Sequence, residues 1–200
     1  MEKIGGRRVG IQADDTGRES VVFELRRSER SQRWFDRKFE LGLDPESAPA
    51  LLVRLGATAE RLAQATRAQP RELLVRRPAP DKWSIQEHVG HLLDLETLWD
   101  KRLDDYDAGA ELLHVADLTN RKTHEAGHNE RPLANILADF AAARNAFVQR
   151  LAAMSPAELS RTGLHPRLLQ PMSVVDLCFF VAEHDDHHLR AIAELKRTRS

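Results

Sequence analysis

An all-α four-helix bundle is the fold that this 200-residue sequence predicts, and three observations predict it. Apolar residues recur at steps of three and four along four separate stretches. The residues between those stretches start and stop helices. β-Branched residues rarely alternate with polar ones in the period of a strand. The length and the 42% hydrophobic content suffice for one sizeable core.

The first helix is predicted from Pro45 onward, where PESAPALLVRLGATAERLAQAT places Leu51, Leu52, Leu55, Ala59, Leu62 and Ala63 on one stripe. After the proline-rich break RRPAPDKW, Ser84 is followed three residues later by Glu87. That is the capping-box pair, and it opens a second helix from Ile85 to about Tyr106. A long polar connection from about Asp107 to Glu130 comes next. Pro132 then stands at the first turn of a third helix, with Leu133, Ile136, Leu137, Phe140, Ala143, Phe147 and Leu151 on its apolar face and its end near Met154. Ser155-Pro156-Ala157-Glu158 reads as a single helical turn. A loop through His165, Pro166 and Pro171 leads to the fourth helix, from about Ser173 to Lys196. Residues 1–43 form a lead-in arm without sustained periodicity, ahead of a bundle at 44–200; Trp34, Phe35 and Phe39 are expected to pack on that bundle.

Composition excludes several classes of function. The formal net charge is -1, with 30 basic and 31 acidic residues spread along the chain, which leaves no footprint for nucleic acid or an anionic membrane. The polar opening MEKIGGRRVGIQADDTGRES lacks a signal-peptide core, and no stretch approaches the roughly 20 apolar residues that span a bilayer. The single cysteine, Cys178, fits a reducing cytoplasm. The expectation is a soluble cytoplasmic protein with no nucleic-acid or membrane partner.

The chemistry lies where an apolar stripe turns polar. On the fourth helix Val174, Leu177, Val181 and Ile192 share a face, and His184 and His188 interrupt it. Imidazoles at i and i+4 lie about 6 Å apart along the axis on one side of a helix, the spacing that grips a metal with two nitrogens. The second helix carries His88 and His91 on or beside its core face, and either offers a third nitrogen; spacing does not choose between them. Three histidines from facing helices fill three corners of a tetrahedral ion and leave the fourth for water or substrate. A core histidine hydrogen-bonded to a neighbour is the competing reading of each imidazole.

A second motif competes. His124-Glu125-Ala126-Gly127-His128 matches the H-E-x-x-H of zinc peptidases, but the surrounding TNRKTHEAGHNERP is polar and holds a glycine inside the motif, which argues against a buried helix. This segment is either a plain solvated loop or a polar loop over the bundle opening that offers Arg121, Lys122, His124 and His128 to an anionic part of a substrate. Glu87, one turn before His91, is either a cap or a partner to the metal ligands. Cys178 reads as a packing residue.

Two motifs carry a family resemblance. DKWSIQEHVGHLLDLE resembles the segment that opens the second helix of DinB-like (YfiT-type) proteins, and AEHDDHHLRAI resembles their closing H-x-x-x-H helix. The resemblance covers about Pro45 to Lys196. It implies a four-helix bundle, often a homodimer, with His91, His184 and His188 holding a divalent ion, zinc or nickel. It also implies a metal-dependent enzyme acting on a small molecule, by hydrolysis or by transfer of a low-molecular-weight thiol. A non-catalytic metal-binding or dimeric interaction protein is the alternative.

Overall fold

The computed structural model describes residues 7–13, 19–24 and 33–197. The chain divides into two compact units, Met1–Phe39 and Glu40–Ser200. The first contains an antiparallel pair, β1 (Arg7–Ala13) and β2 (Glu19–Glu24), where the sequence predicts no strand. The register shifts between Arg8 and Gly10, and such a bulge breaks the two-residue alternation by which a strand is recognised. A 3-10 turn at Trp34–Asp36 follows, and the Trp34 and Phe39 rings meet edge to face at 5.1 Å.

The second unit is the predicted bundle. Its first helix is made of α1 (Ala48–Gly56) and α2 (Thr58–Thr66), interrupted at Ala57. Backbone bonds still run from Ala57 N to Val53 O (3.1 Å) and from Arg61 N to Ala57 O (3.0 Å), so the interruption is a local bend in one helical column. A short α3 (Arg71–Val75) leads to α4 (Ile85–Asp107), whose capping box forms as predicted: the Glu87 N–H donates to Ser84 Oγ and the Ser84 N–H to the Glu87 carboxylate. After α5 (Arg121–Glu125) come α6 (Leu133–Ala152), the single turn α7 (Pro156–Leu159) and α8 (Val174–Arg197). Asp176 caps α8, accepting from Ser173 Oγ (2.8 Å) and Ser173 N (3.0 Å), and its other oxygen accepts from Gly42 N and Leu43 N.

The helix α4 packs on α6 and α8, and the α1–α2 column packs on the same two. The first and second bundle helices therefore lie on one diagonal. Tyr106, near the end of α4, donates its hydroxyl to Met172 O (3.0 Å) before the start of α8, so these two helices run antiparallel. Leu62, Ile85, Val89, Leu92, Ile136, Phe140 and Ile192 fill the core, each buried apolar side chain stabilising the fold by roughly 1.5–3 kcal/mol. Where a plain loop is expected through His165 and Pro171, the chain instead forms a hairpin, β3 (Thr162–His165) with β4 (Gln170–Ser173). The Leu113 N–H reaches Leu164 O (3.0 Å), tying the long connection to that hairpin. Among the described residues no helix is long and apolar enough to cross a membrane.

Candidate metal centre

The antiparallel packing of α4 against α8 brings His91 beside His184 and His188. One ligand atom from each lies within 4.8 Å of the others, and all three residues are buried. The ring centres are 5.4 Å (His91 to His184), 4.8 Å (His91 to His188) and 4.5 Å (His184 to His188) apart.

Hydrogen bonds decide which nitrogen each ring turns inward. His91 Nδ1 meets Thr123 Oγ1 at 3.0 Å, and His188 Nδ1 meets His88 Nδ1 at 2.8 Å. That leaves Nε2 on both rings facing the cluster, where His188 Nε2 is 3.2 Å from His184 Nε2. Two imidazole nitrogens at that distance share a proton or share an ion. Burial first, and then the neighbouring imidazoles, hold all three rings neutral. His91 is lowered to about 3, and His184 and His188 fall well below the ordinary value. Neutral, buried, convergent imidazoles are a donor set that suits zinc, nickel or copper, so the residues present fit a divalent ion.

A chain of contacts holds His91 from behind. Its Nδ1–H points at Thr123 Oγ1, and the Thr123 hydroxyl donates to Asp94 Oδ2 (2.9 Å). The same carboxylate oxygen accepts from His128 Nε2 (2.8 Å). Burial alone would raise the Asp94 carboxyl; the bonds from His128 and Thr123 outweigh it and keep it below its usual value. Such a relay fixes the tautomer of a ligating histidine and makes it more basic. Thr123→Val is therefore expected to weaken metal binding by roughly 10–100-fold with the fold intact, measured by competition against a chromophoric chelator. Unchanged affinity would remove Thr123 from the site.

His128, expected at a loop surface facing substrate, is instead buried. Its ring lies flat on Gly90, where an added Cβ would sit 2.2 Å from His128 Cγ; only glycine allows this approach. The Gln86 side-chain amide donates to His128 O (2.5 Å) and Arg131 O (2.8 Å), which completes the anchoring of this loop to α4. The H-E-x-x-H reading fails on the same geometry. The helix α5 ends before Gly127, whose φ of 60° breaks it, and His128 stands on the next 3-10 turn. His124 and His128 thus do not share a helix face, and the metal-capable group contains neither. Arg121, Lys122 and His124 are exposed. The His124 ring is 6.0 Å from Trp83, and Trp83 also lies over His91 (4.5 Å), placing His124 at the rim.

Glu87 sits on Ser84 and Arg77 rather than on the cluster. Burial would raise its carboxyl, but the Arg77 and Ser84 hydrogen bonds bring it down to about 2. Burial pushes the Cys178 thiol up to about 12, in keeping with a packing role. Sequence reasoning missed Thr123, Asp94, and His88 as a partner of His188. Asp94 and His88 lie inside the second-helix motif, whereas Thr123 carries no signal of its own.

The family model described as the DinB superfamily matches residues 54–192. No curated protein relative matches the chain. Among solved structures the chain is similar to YfiT from Bacillus subtilis, described as a probable metal-dependent hydrolase with an unusual four-helix bundle topology. The identity is 18% and the TM-score 0.69, with 80% of this chain and 92% of that one covered.

Proposed function

This chain belongs to the DinB superfamily, and we propose that it is a metal-dependent enzyme in which His91, His184 and His188 hold one divalent ion, zinc or nickel, and a small thiol is transferred to an electrophilic small molecule. The observation that carries this reading is the convergence of three buried imidazoles from two facing helices. A three-nitrogen ion supplies Lewis acidity and keeps a coordination position for an incoming heteroatom.

The surrounding residues favour a thiol. Among the described residues no carboxylate hydrogen-bonds directly to His91 or His188: Asp94 reaches His91 only through Thr123, Glu87 is held by Ser84 and Arg77, and on α8 Asp185 is held by Arg144 and Asp186 by Arg54 and Arg61. A thiol, with an ordinary pKa near 8.5, needs less help to ionise than water. The buried Cys178 is not that thiol, so it comes from a cosubstrate. Trp83 covers the cluster with the His124 ring 6.0 Å from it, and His124, with the exposed Arg121 and Lys122 that precede it on α5, is the part of this reading that would meet an anionic substrate entering past Trp83. Hydrolysis is the second reading, favoured by what is said of YfiT. The test is turnover of a chromogenic aryl halide and of a nitrophenyl ester by zinc- or nickel-loaded protein. Aryl-halide turnover that saturates with added thiol and vanishes in His184→Ala supports thiol transfer; ester turnover indifferent to thiol overturns it in favour of hydrolysis.

The neutral imidazoles carry a pH consequence. Their folded-state basicity is depressed, His91 to about 3 and His88 to about 4, from an ordinary value of 6.5. Below about pH 6.5 the unfolded chain binds more protons than the folded one, so stability falls as the pH drops. The denaturant midpoint of chelator-treated protein is expected to fall from pH 7 to pH 5, above the range where carboxylates titrate. His165, also depressed to about 3, contributes to the same slope. The share due to the cluster is the part of the slope lost in His184→Ala, and equal slopes would contradict neutral burial of the cluster.

A further inference from the structure

Two arginines in the bundle are each 1% exposed, and they differ in what neutralises them. Arg144 lies between the carboxylates of Glu96 and Asp185. Arg102 has no carboxylate within ion-pair distance among the described residues. Its Nε donates to the His114 carbonyl (3.1 Å), its Nη1 meets His165 Nε2 (3.1 Å), and its guanidinium lies 5.4 Å from the Trp99 ring centre. Asp105, one turn along α4, gives its carboxylate to the His114 N–H instead. A buried charge without a counter-charge is costly, and burial lowers the Arg102 guanidinium to about 10.

His165 adds to the excess of donors. Its Nδ1 accepts from the backbone N–H groups of Arg167 (3.2 Å) and Leu168 (3.1 Å). A neutral imidazole that accepts at Nδ1 carries its proton on Nε2, which directs an N–H toward the N–H groups of Arg102. Among the described residues no acceptor stands between those N–H groups. Arg167, at the turn of the β3–β4 hairpin, brings a second guanidinium over Phe180 (5.9 Å), and its charge reaches both His165 and His184.

The group stands one aromatic layer from the three histidines. Trp99 is 6.0 Å from the His184 ring and 6.3 Å from Phe180, and Phe180 is 5.1 Å from His165. We infer that Arg102, His165 and Arg167 form a subsite for an oxyanion group, a carboxylate or a phosphate, carried by the molecule that reacts at the histidine cluster. The inference rests on the reading of that cluster as the reacting centre, and it narrows the substrate class to small anionic molecules whose charge lies about one side-chain layer from the reacting atom.

The test titrates the full-length protein, as purified, with succinate and with inorganic phosphate at constant ionic strength, following the unfolding temperature, with metal content measured on the same samples. A saturable rise is expected with at least one of them, and the better probe tells carboxylate from phosphate. The rise persists in His184→Ala. Half-saturation moves by roughly 10–100-fold in Arg102→Gln and in Arg167→Gln, the loss expected for one charge-assisted hydrogen bond, while both variants keep wild-type metal content. Where Arg102→Gln does not fold, Arg167→Gln decides. Wild-type responses in the arginine variants, or no rise beyond that given by chloride, overturn the subsite. A saturable response in protein that takes up no metal leaves the subsite standing and refutes the metal reading; metal uptake without any anion response does the reverse.

Discussion

Arg144→Ala is expected to lower the unfolding temperature by roughly 6–20 °C. Arg144 joins all four columns of the bundle: its guanidinium donates to Glu96 on α4 (2.7 Å), to Asp185 on α8 and to Leu55 O on α1 (3.3 Å), while Thr58 on α2 donates to Asp185 (2.8 Å). Burial raises the Glu96 carboxyl, and the Arg144 charge is the main force opposing that rise. Without the guanidinium, two acids remain in the core with no counter-charge. Breaking a buried pair in this way costs about 3–5 kcal/mol, and a unit of this size shifts by about 2–4 °C per kcal/mol. Replacing all three charges, as Arg144→Met with Glu96→Leu and Asp185→Leu, is expected to be neutral or stabilising by about 1–4 kcal/mol. The contrast separates the energy of the network from that of its loss. Calorimetry of the two variants is the check, and an Arg144→Ala protein within 2 °C of wild type would contradict the account. Asp185 adjoins His184, so this network also sets the rotation of α8 on which the histidine cluster depends.

Features set by neighbours on one helix were legible in the sequence. The Ser84–Glu87 box and the His184–His188 pair need only i,i+3 and i,i+4 spacing. Spacing did not separate His88 from His91, because the two are one turn apart and both can face the core; only the family resemblance pointed to His91. Packing across helices separates them: His91 faces both His184 and His188, while His88 meets His188 from behind. Thr123 was invisible, since its partner Asp94 is 29 residues away and a threonine in a polar loop has no period to mark it. The β3–β4 hairpin was missed because TGLH and QPMS hold no alternating branched residues; cross-chain bonds such as Leu113 N to Leu164 O hold it in place. The H-E-x-x-H match fails for the reason its glycine indicated, since the backbone turns at Gly127 and separates the two histidines.

His184→Ala is expected to abolish stoichiometric metal binding. It removes one of three converging nitrogens and leaves two, a larger loss than the roughly 10–100-fold attached to an outer partner such as Thr123. The smaller side chain also opens a void beside Trp99, whose ring is 6.0 Å from that of His184, so some loss of stability accompanies the loss of metal. His188→Ala removes a neighbouring donor of the same cluster and is expected to behave alike, whereas His124→Ala, on the rim and outside the metal-capable group, is expected to keep the metal. The direct measurement is elemental mass spectrometry of wild type, His184→Ala, His188→Ala and His124→Ala after loading with zinc or nickel and exhaustive dialysis. About one equivalent in wild type and His124→Ala, with none in the other two, is the predicted result. Metal retained by His184→Ala and His188→Ala, or lost with His124→Ala, would contradict the three-histidine centre.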